Sequence, residues 1–142
     1  MRSAFLEQNS GVTAGFKKKV VNVDAAITLT NDDSGKVYML SATGGTVAVT
    51  LPTSLEDGVY YKFIVEEETP SNAITIAAGS AIVSLVMKDA GGNASNSTVG
   101  TQISNLIIGT SAQKGDYIDL MAAGGEWVGE CLSGIDDAVT TS

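Results

Sequence analysis

Residues 35–68, GKVYMLSATGGTVAVTLPTSLEDGVYYKFIVEEE, do most to limit the folds open to this chain. Three strand patterns follow one another there, separated by glycine-rich or proline-containing turns. In the last, Val59, Tyr61, Phe63 and Val65 fall on one face, and Tyr60, Lys62, Ile64 and Glu66 on the other. Alternation with period two is what a half-buried strand requires, and β-branched and aromatic residues fit its pleated surface. A helix would not bring the first four to one side. The stretch predicts a β-domain and carries no chemistry of its own.

The rest of the chain repeats the pattern. Val20 and Val21 suggest a first strand within residues 18–22, and Ile27 and Leu29 alternate with Thr28 and Thr30 in the next. Asn31-Asp32-Asp33-Ser34-Gly35 is a turn, because Asn and Asp bond locally to the backbone and Gly supplies positive φ. Gly44-Gly45, between two alternating runs, reads as a hairpin, and Pro52 ends the second run. Ile74 and Ile76 mark another strand. Residues 82–87 are apolar on both sides, which suits a covered strand or a subunit contact, although periodicity alone also admits a helix. Residues 89–100 form the longest polar loop, expected as a surface excursion. Its Asn93-Ala94-Ser95 and Asn96-Ser97-Thr98 triplets match the glycosylation pattern and are expected to be chance matches in a chain that is not secreted. Residues 102–109 resume with Ile103, Leu106, Ile107 and Ile108. Residues 117–121 and 127–132 form a second hairpin around Gly124-Gly125, with Tyr117 and Trp127 as its aromatic anchors.

Nine or ten short strands at roughly 8–12-residue spacing predict an all-β fold: one sandwich, jelly-roll-like or barrel domain of antiparallel strands. The domain is expected over residues 24–134, after an extended N-terminal arm (1–23) and before a short acidic tail (135–142). No period of 20–50 residues stands out, which argues against a solenoid.

The 142 residues are one domain's worth, enough to bury roughly 68–70% of the unfolded surface without metals or disulfides. Three Phe, four Tyr and one Trp leave a core built mostly of Val, Ile, Leu and Ala. Cys131 is the sole cysteine, so it is either a small buried hydrophobe in the last strand or an exposed thiol bridging subunits. The first residues lack the apolar run of a secretory signal, and no apolar run is long enough to span a bilayer, so the chain reads as soluble, made in the cytoplasm and without a membrane partner.

Charge is uneven. The net −8 divides into +2 over residues 1–24 and −10 over the remainder, where four lysines face fourteen acids. An acidic body repels nucleic-acid phosphate, so no nucleic-acid partner is expected. Lys17, Lys18 and Lys19 form the one basic cluster. It can be a solvated tether, an arm docking onto an acidic partner, or a nucleic-acid contact. With Phe5, Leu6 and Phe16 upstream, these lysines are the candidate partner-binding residues; an extended segment of this kind can add a strand or bury its apolar side chains on a partner.

No histidine is present, which removes the commonest general base and zinc ligand. There is no P-loop and no glycine fingerprint after a strand. Carboxylates alone could serve a glycosidase or a cation site. Glu66 and Glu67 would point to opposite faces, and Asp116 and Asp119 flank Tyr117. Asp32-Asp33 and Asp136-Asp137 read as solvated turns, with a structural cation as the alternative. No catalytic residue, metal or cofactor is expected, and the chain reads as a structural protein rather than an enzyme.

Four segments, ITLTNDDSGKVYMLSATGGTVAVTLP, GVYYKFIVEE, AITIAAG and KGDYIDLMAAGGEWVGECLSG, together resemble small β-domains of tailed bacteriophages. The resemblance rests on Asp33-Ser34-Gly35-Lys36, Leu51-Pro52, Tyr61 and Phe63, Lys114-Gly115-Asp116, and Trp127, and covers residues 24–134. It is similar to capsid decoration (cement) proteins, with related modules in tails and fibres. It implies a virion protein on the capsid surface that bridges and stabilises major capsid subunits, as a homo-oligomer with a trimer favoured. The alternative is a receptor- or glycan-binding module of a tail fibre or spike, using residues 89–100 and Tyr38, Tyr60 or Trp127.

Overall fold

The computed structural model describes residues 17–79, 83–89, 94–97 and 103–142. Its strands are β1 (Val20–Val23), β2 (Ile27–Thr28), β3 (Val37–Leu40), β4 (Val47–Thr50), β5 (Tyr60–Val65) and β6 (Ile74–Ala77). The second half supplies β7 (Val83–Lys88), β8 (Ala94–Ser97), β9 (Asn105–Ile108), β10 (Tyr117–Ala123), β11 (Glu126–Leu132) and β12 (Val139–Thr141). The single helical piece among the described residues is a 3₁₀ turn at Asn31–Asp33. The protein is therefore all-β, as the alternation predicts.

Two mixed sheets form, of seven strands in the order β1-β3-β5-β10-β11-β7-β8 and of five in the order β12-β9-β6-β4-β2. The expectation of antiparallel strands is corrected here. β1, β3 and β5 run parallel, as do β2, β4 and β6, and β7 lies parallel to β11. The physical reason is that alternation reports which face a side chain occupies and is silent on strand direction.

The Gly44-Gly45 link is likewise no hairpin. It carries the chain from β3 in one sheet to β4 in the other, and successive strands up to β6 keep alternating between sheets. Residues 20–77 thus wind as a two-sheet parallel coil, the feature that the lack of a repeat argued against. Its turns are unequal: Val20 pairs with Val37 and Val37 with Lys62, offsets of 17 and 25 residues, so no fixed period is written in the sequence. The β10–β11 hairpin does form, with Tyr117 opposite Leu132 and Ala123 opposite Glu126.

Both ends of the expected domain shift outward. Val20–Val23, placed in the arm, are β1 on the edge of the larger sheet. Val139–Thr141, placed in the tail, pair with β9, and Ala138 and Val139 are buried. Part of the expected loop at 89–100 is strand, since Ala94–Ser97 pairs with β7. Residues 82–87 resolve in favour of a strand at Val83–Lys88, covered on one face only: Val83 and Leu85 are buried, whereas Val86 is exposed.

One core lies between the sheets. The inner residues of β5 (Tyr61, Phe63, Val65) and β10 (Ile118, Leu120, Ala122) meet Val47, Val49, Ile74, Ile76, Leu106 and Ile108 of the smaller sheet. Trp127 is fully buried, with its ring 5.5 Å from Tyr61, and Tyr38 stacks on Phe63 at 5.6 Å. An aromatic of this size removes about 150–250 Å² from water, worth about 4–6 kcal/mol on area. Cys131 is buried, as a small core residue should be; burial, and then the charge of Asp116, push its thiol up to about 12.

Candidate interaction surface

Two of the carboxylates considered as possible ligands, Asp33 and Asp116, tie turns to the body, whereas both carboxylate oxygens of Glu67 are buried without a hydrogen-bond partner. Asp33 Oδ2 accepts from the Thr30 backbone N–H at 2.9 Å and its hydroxyl at 3.0 Å, while Oδ1 pairs with Lys36. The Lys36 hydrogen bond, helped by Thr30, holds its carboxyl below the usual value. Tyr61, at the centre of the core, donates its hydroxyl to the Thr30 carbonyl at 2.7 Å and so ties this turn to the interior. Asp116 is buried and accepts from the Gln113 N–H (2.9 Å), the Ser133 hydroxyl (2.9 Å) and the Gly134 N–H (2.8 Å). It joins the turn before β10 to the turn after β11. Asp136 shares a hydrogen bond with Asp89, which with the nearby negative charge raises its carboxyl. Among the described residues no group of three acidic, Cys or His side chains is placed to hold a metal ion.

What distinguishes the molecule is the outer face of the seven-stranded sheet. Register places the side chains in rows across the strands. One row runs Val20, Val37, Lys62, Asp119, Glu130, Val86. The next runs Asn22, Met39, Ile64, Tyr117, Leu132, Lys88. A third holds Tyr60, Met121, Val128 and Ser84. Val20 is 58% exposed, Met121 45%, Leu132 43% and Val86 39%, and these are the large exposed hydrophobics of the described body. All four lie on this one face. The outer face of the five-stranded sheet is different in kind: Thr28, Ala48, Thr50, Thr75, Ala77 and Thr140, small or hydroxylated, surround the half-buried Ile107 and Asn105 of β9. Single exposed apolar residues are ordinary; here all four share one face, with Lys62, Asp119 and Glu130 between Val20 and Val86.

Within this face lies an open groove of about 510 Å³, walled by Tyr60, Met121, Val128 and Val86 and crossed by Asp119, Glu130 and Lys88. Leu120 and Gly129, register partners on adjacent strands, form its floor. Gly129 is required there: a Cβ would lie 1.8 Å from the Asp119 carbonyl oxygen, so β10 and β11 approach more closely than any side chain allows. The like-charged neighbours Asp119 and Glu130 are separately compensated. Lys62 pairs with Asp119 at 3.3 Å and sits over the Tyr117 ring at 4.0 Å, while the Tyr117 hydroxyl donates to Glu130 at 3.3 Å.

Of the candidate partner-binding residues, Phe5, Leu6 and Phe16 lie outside the described residues. Lys17, Lys18 and Lys19 are exposed beside the edge strand β1. Lys18 is anchored: its Nζ donates to the Tyr60 hydroxyl at 2.6 Å and lies 4.7 Å from that ring. The Gly35 N–H donates to the Tyr60 carbonyl at 2.9 Å. The Lys19 carbonyl accepts from the Val37 N–H at 2.9 Å. Tyr38 and Trp127, named for glycan contact, are buried and serve the core, leaving Tyr60 at the surface. Of the outer-face residues, Val86 falls in the run at 82–87 that reads as a covered strand or a subunit contact, whereas Met121, Val128 and Leu132 escaped sequence reasoning, since each sits in a strand whose opposite face also looks like core.

No protein-family model matches the chain, and no curated protein matches it either.

Proposed function

We propose that this protein is a structural, non-enzymatic component of a tailed-phage virion that decorates and stabilises the capsid by bridging major capsid subunits. The observation that carries the docking mode is the apolar groove on the outer face of the seven-stranded sheet, the face that holds the exposed Val20, Val86, Met121 and Leu132. The particle assignment rests on the motif resemblance at Asp33-Ser34-Gly35-Lys36, Lys114-Gly115-Asp116 and Trp127. On this reading a sandwich-like β-body lies across a junction of the lattice, its apolar face against a capsid subunit. Residues 1–19, with Phe5, Leu6, Phe16 and Lys17–Lys19, extend the contact onto the lattice or a neighbouring copy, in a homo-oligomer taken as a trimer.

Ordering such an arm costs about 1–2 kcal/mol per residue, which repeated contacts across many copies can offset. The test uses heads that lack this protein. The full chain should bind at hundreds of copies per head and raise the temperature at which heads rupture. A variant lacking residues 1–16, which keeps every described contact, should bind with much lower occupancy. A copy number of a few to dozens per virion would point instead to a tail component, and unchanged occupancy of the truncated chain would remove the arm from the mechanism.

A further inference from the structure

The seven-stranded sheet ends on β1, whose free side meets no other strand among the described residues. In a parallel pair, every second residue of an edge strand turns its backbone N–H and C=O toward the neighbour and the others turn theirs away. The Lys19 carbonyl accepts from the Val37 N–H and the Val23 carbonyl from the Ser41 N–H, both at 2.9 Å, so Lys19, Val21 and Val23 face β3. Val20 and Asn22 therefore present their N–H and C=O groups at the open edge. Val20 is also 58% exposed, the most open of the described body's large hydrophobics. An edge of this kind is a template for another strand.

The flanking charges choose that strand. Lys17, Lys18 and Lys19 precede β1 and Asp24 follows it, all of them exposed. An antiparallel copy of the same segment, in register about Val21, sets Val20 and Asn22 opposite Asn22 and Val20 of the other copy, each pair exchanging both its N–H···O bonds. Lys18 then falls opposite Asp24 at both ends. A shift of two residues either way sets Lys18 against Asn22 or Ala26 and loses both ion pairs. Lys18 already donates to the Tyr60 hydroxyl at 2.6 Å, which leaves the other donors of its ammonium for a second acceptor. The lysine clusters of the two copies stand about six residues apart, roughly 20 Å, well beyond the ~8 Å screening length at physiological salt.

We propose that two copies of this protein join edge to edge through β1, antiparallel and in register about Val21, with Lys18 of each copy on Asp24 of the other. The contact is two-fold and self-complementary, and it runs the two seven-stranded sheets into one. It goes beyond the capsid reading and does not depend on it; in a trimeric assembly it links neighbouring trimers.

Charge exchange across the two-fold axis makes the test direct. In sedimentation equilibrium at low salt, the mass of the full-length protein should rise with concentration to at least twice the 14.5 kDa of one chain. Lys18→Glu and Asp24→Lys each set like charges opposite one another at both ends, and each should weaken association about tenfold or more. Mixed in equal amounts, the two variants should associate as tightly as the parent, because every such position then meets an opposite charge. Both side chains are exposed, so each variant should keep the parent's fold. A parent that stays monomeric up to millimolar concentration overturns the proposal. So does association that both single variants leave intact, or a mixture that associates no more tightly than either variant alone. Failure of the protein to bind heads would leave this result untouched and bear only on the proposed function.

Discussion

Replacing Gly129 by alanine adds one carbon where two strands already touch. The new Cβ would stand 1.8 Å from the Asp119 carbonyl oxygen, 2.8 Å from its carbon and 3.1 Å from Leu120 Cα, all backbone atoms that cannot rotate aside. Ordinary contact begins at 3.4 Å, so β10 and β11 must part locally by about 1.6 Å, the overpacking case. A ladder bond of about 2.9 Å lengthened by that much is no longer a hydrogen bond. Overpacking costs about 1–3 kcal/mol and each lost ladder bond about 0.5–1.5 kcal/mol, so with two bonds lost the total is about 4 kcal/mol. That is a large part of the roughly 5–15 kcal/mol that holds a domain together, and it corresponds to a fall in Tm of about 15 °C. Thermal unfolding followed by the fluorescence of Trp127 measures it. Gly44→Ala, where a Cβ meets nothing within 4 Å, is the control and should change stability by less than about 0.5 kcal/mol. A Gly129→Ala protein within about 1 kcal/mol of the parent would show that the β10–β11 approach is not as described.

Three other outcomes are expected. Asp116→Ala leaves the Gln113 and Gly134 N–H groups and the Ser133 hydroxyl without their acceptor, and should cost about 3 kcal/mol in urea unfolding; a near-neutral result would mean these donors find other partners. Asp33 titrates below its ordinary value in the folded state, chiefly through Lys36, so it adds stability above the ordinary carboxylate pKa and loses it as pH falls through the lowered one. Asp33→Asn should therefore lower the urea midpoint at neutral pH, with the deficit closing in strong acid; a deficit independent of pH would assign the loss to packing. Cys131 should react with a thiol reagent about a thousandfold or more slowly than an exposed cysteine until denaturant is added, and fast native labelling would contradict its burial.

The local elements were legible because period two is visible over a few residues. Tyr60–Val65, with its buried Tyr61, Phe63 and Val65, is the case in point. The β10–β11 hairpin was legible for a second reason, since Gly124 and Gly125 both take the positive φ that such a turn needs. Direction and partner choice were not legible. A glycine pair closes a hairpin at Gly124-Gly125 and carries the chain between sheets at Gly44-Gly45, and alternation on either side of the pair does not tell the two apart. The edge elements escaped for want of length: β12 has three residues, and its buried Val139 follows two aspartates that read as tail. The apolar face was hidden because Met121 and Leu132 lie in strands whose alternation is broken by apolar residues on both sides. Only the register across β5, β10, β11 and β7 reveals that these residues share one surface.

The claim that this surface is where the protein meets its partner has a direct test. Met121→Glu and Leu132→Glu together place two charges on the outer face at side chains already 45% and 43% exposed, so the Tm should fall by no more than a few degrees. Binding of this double variant to heads lacking the protein, measured as copies bound per head against the parent, is the decisive quantity. The account predicts that occupancy falls at least tenfold while the fold is retained. Parental occupancy with both glutamates in place would show that the apolar face is not the docking surface.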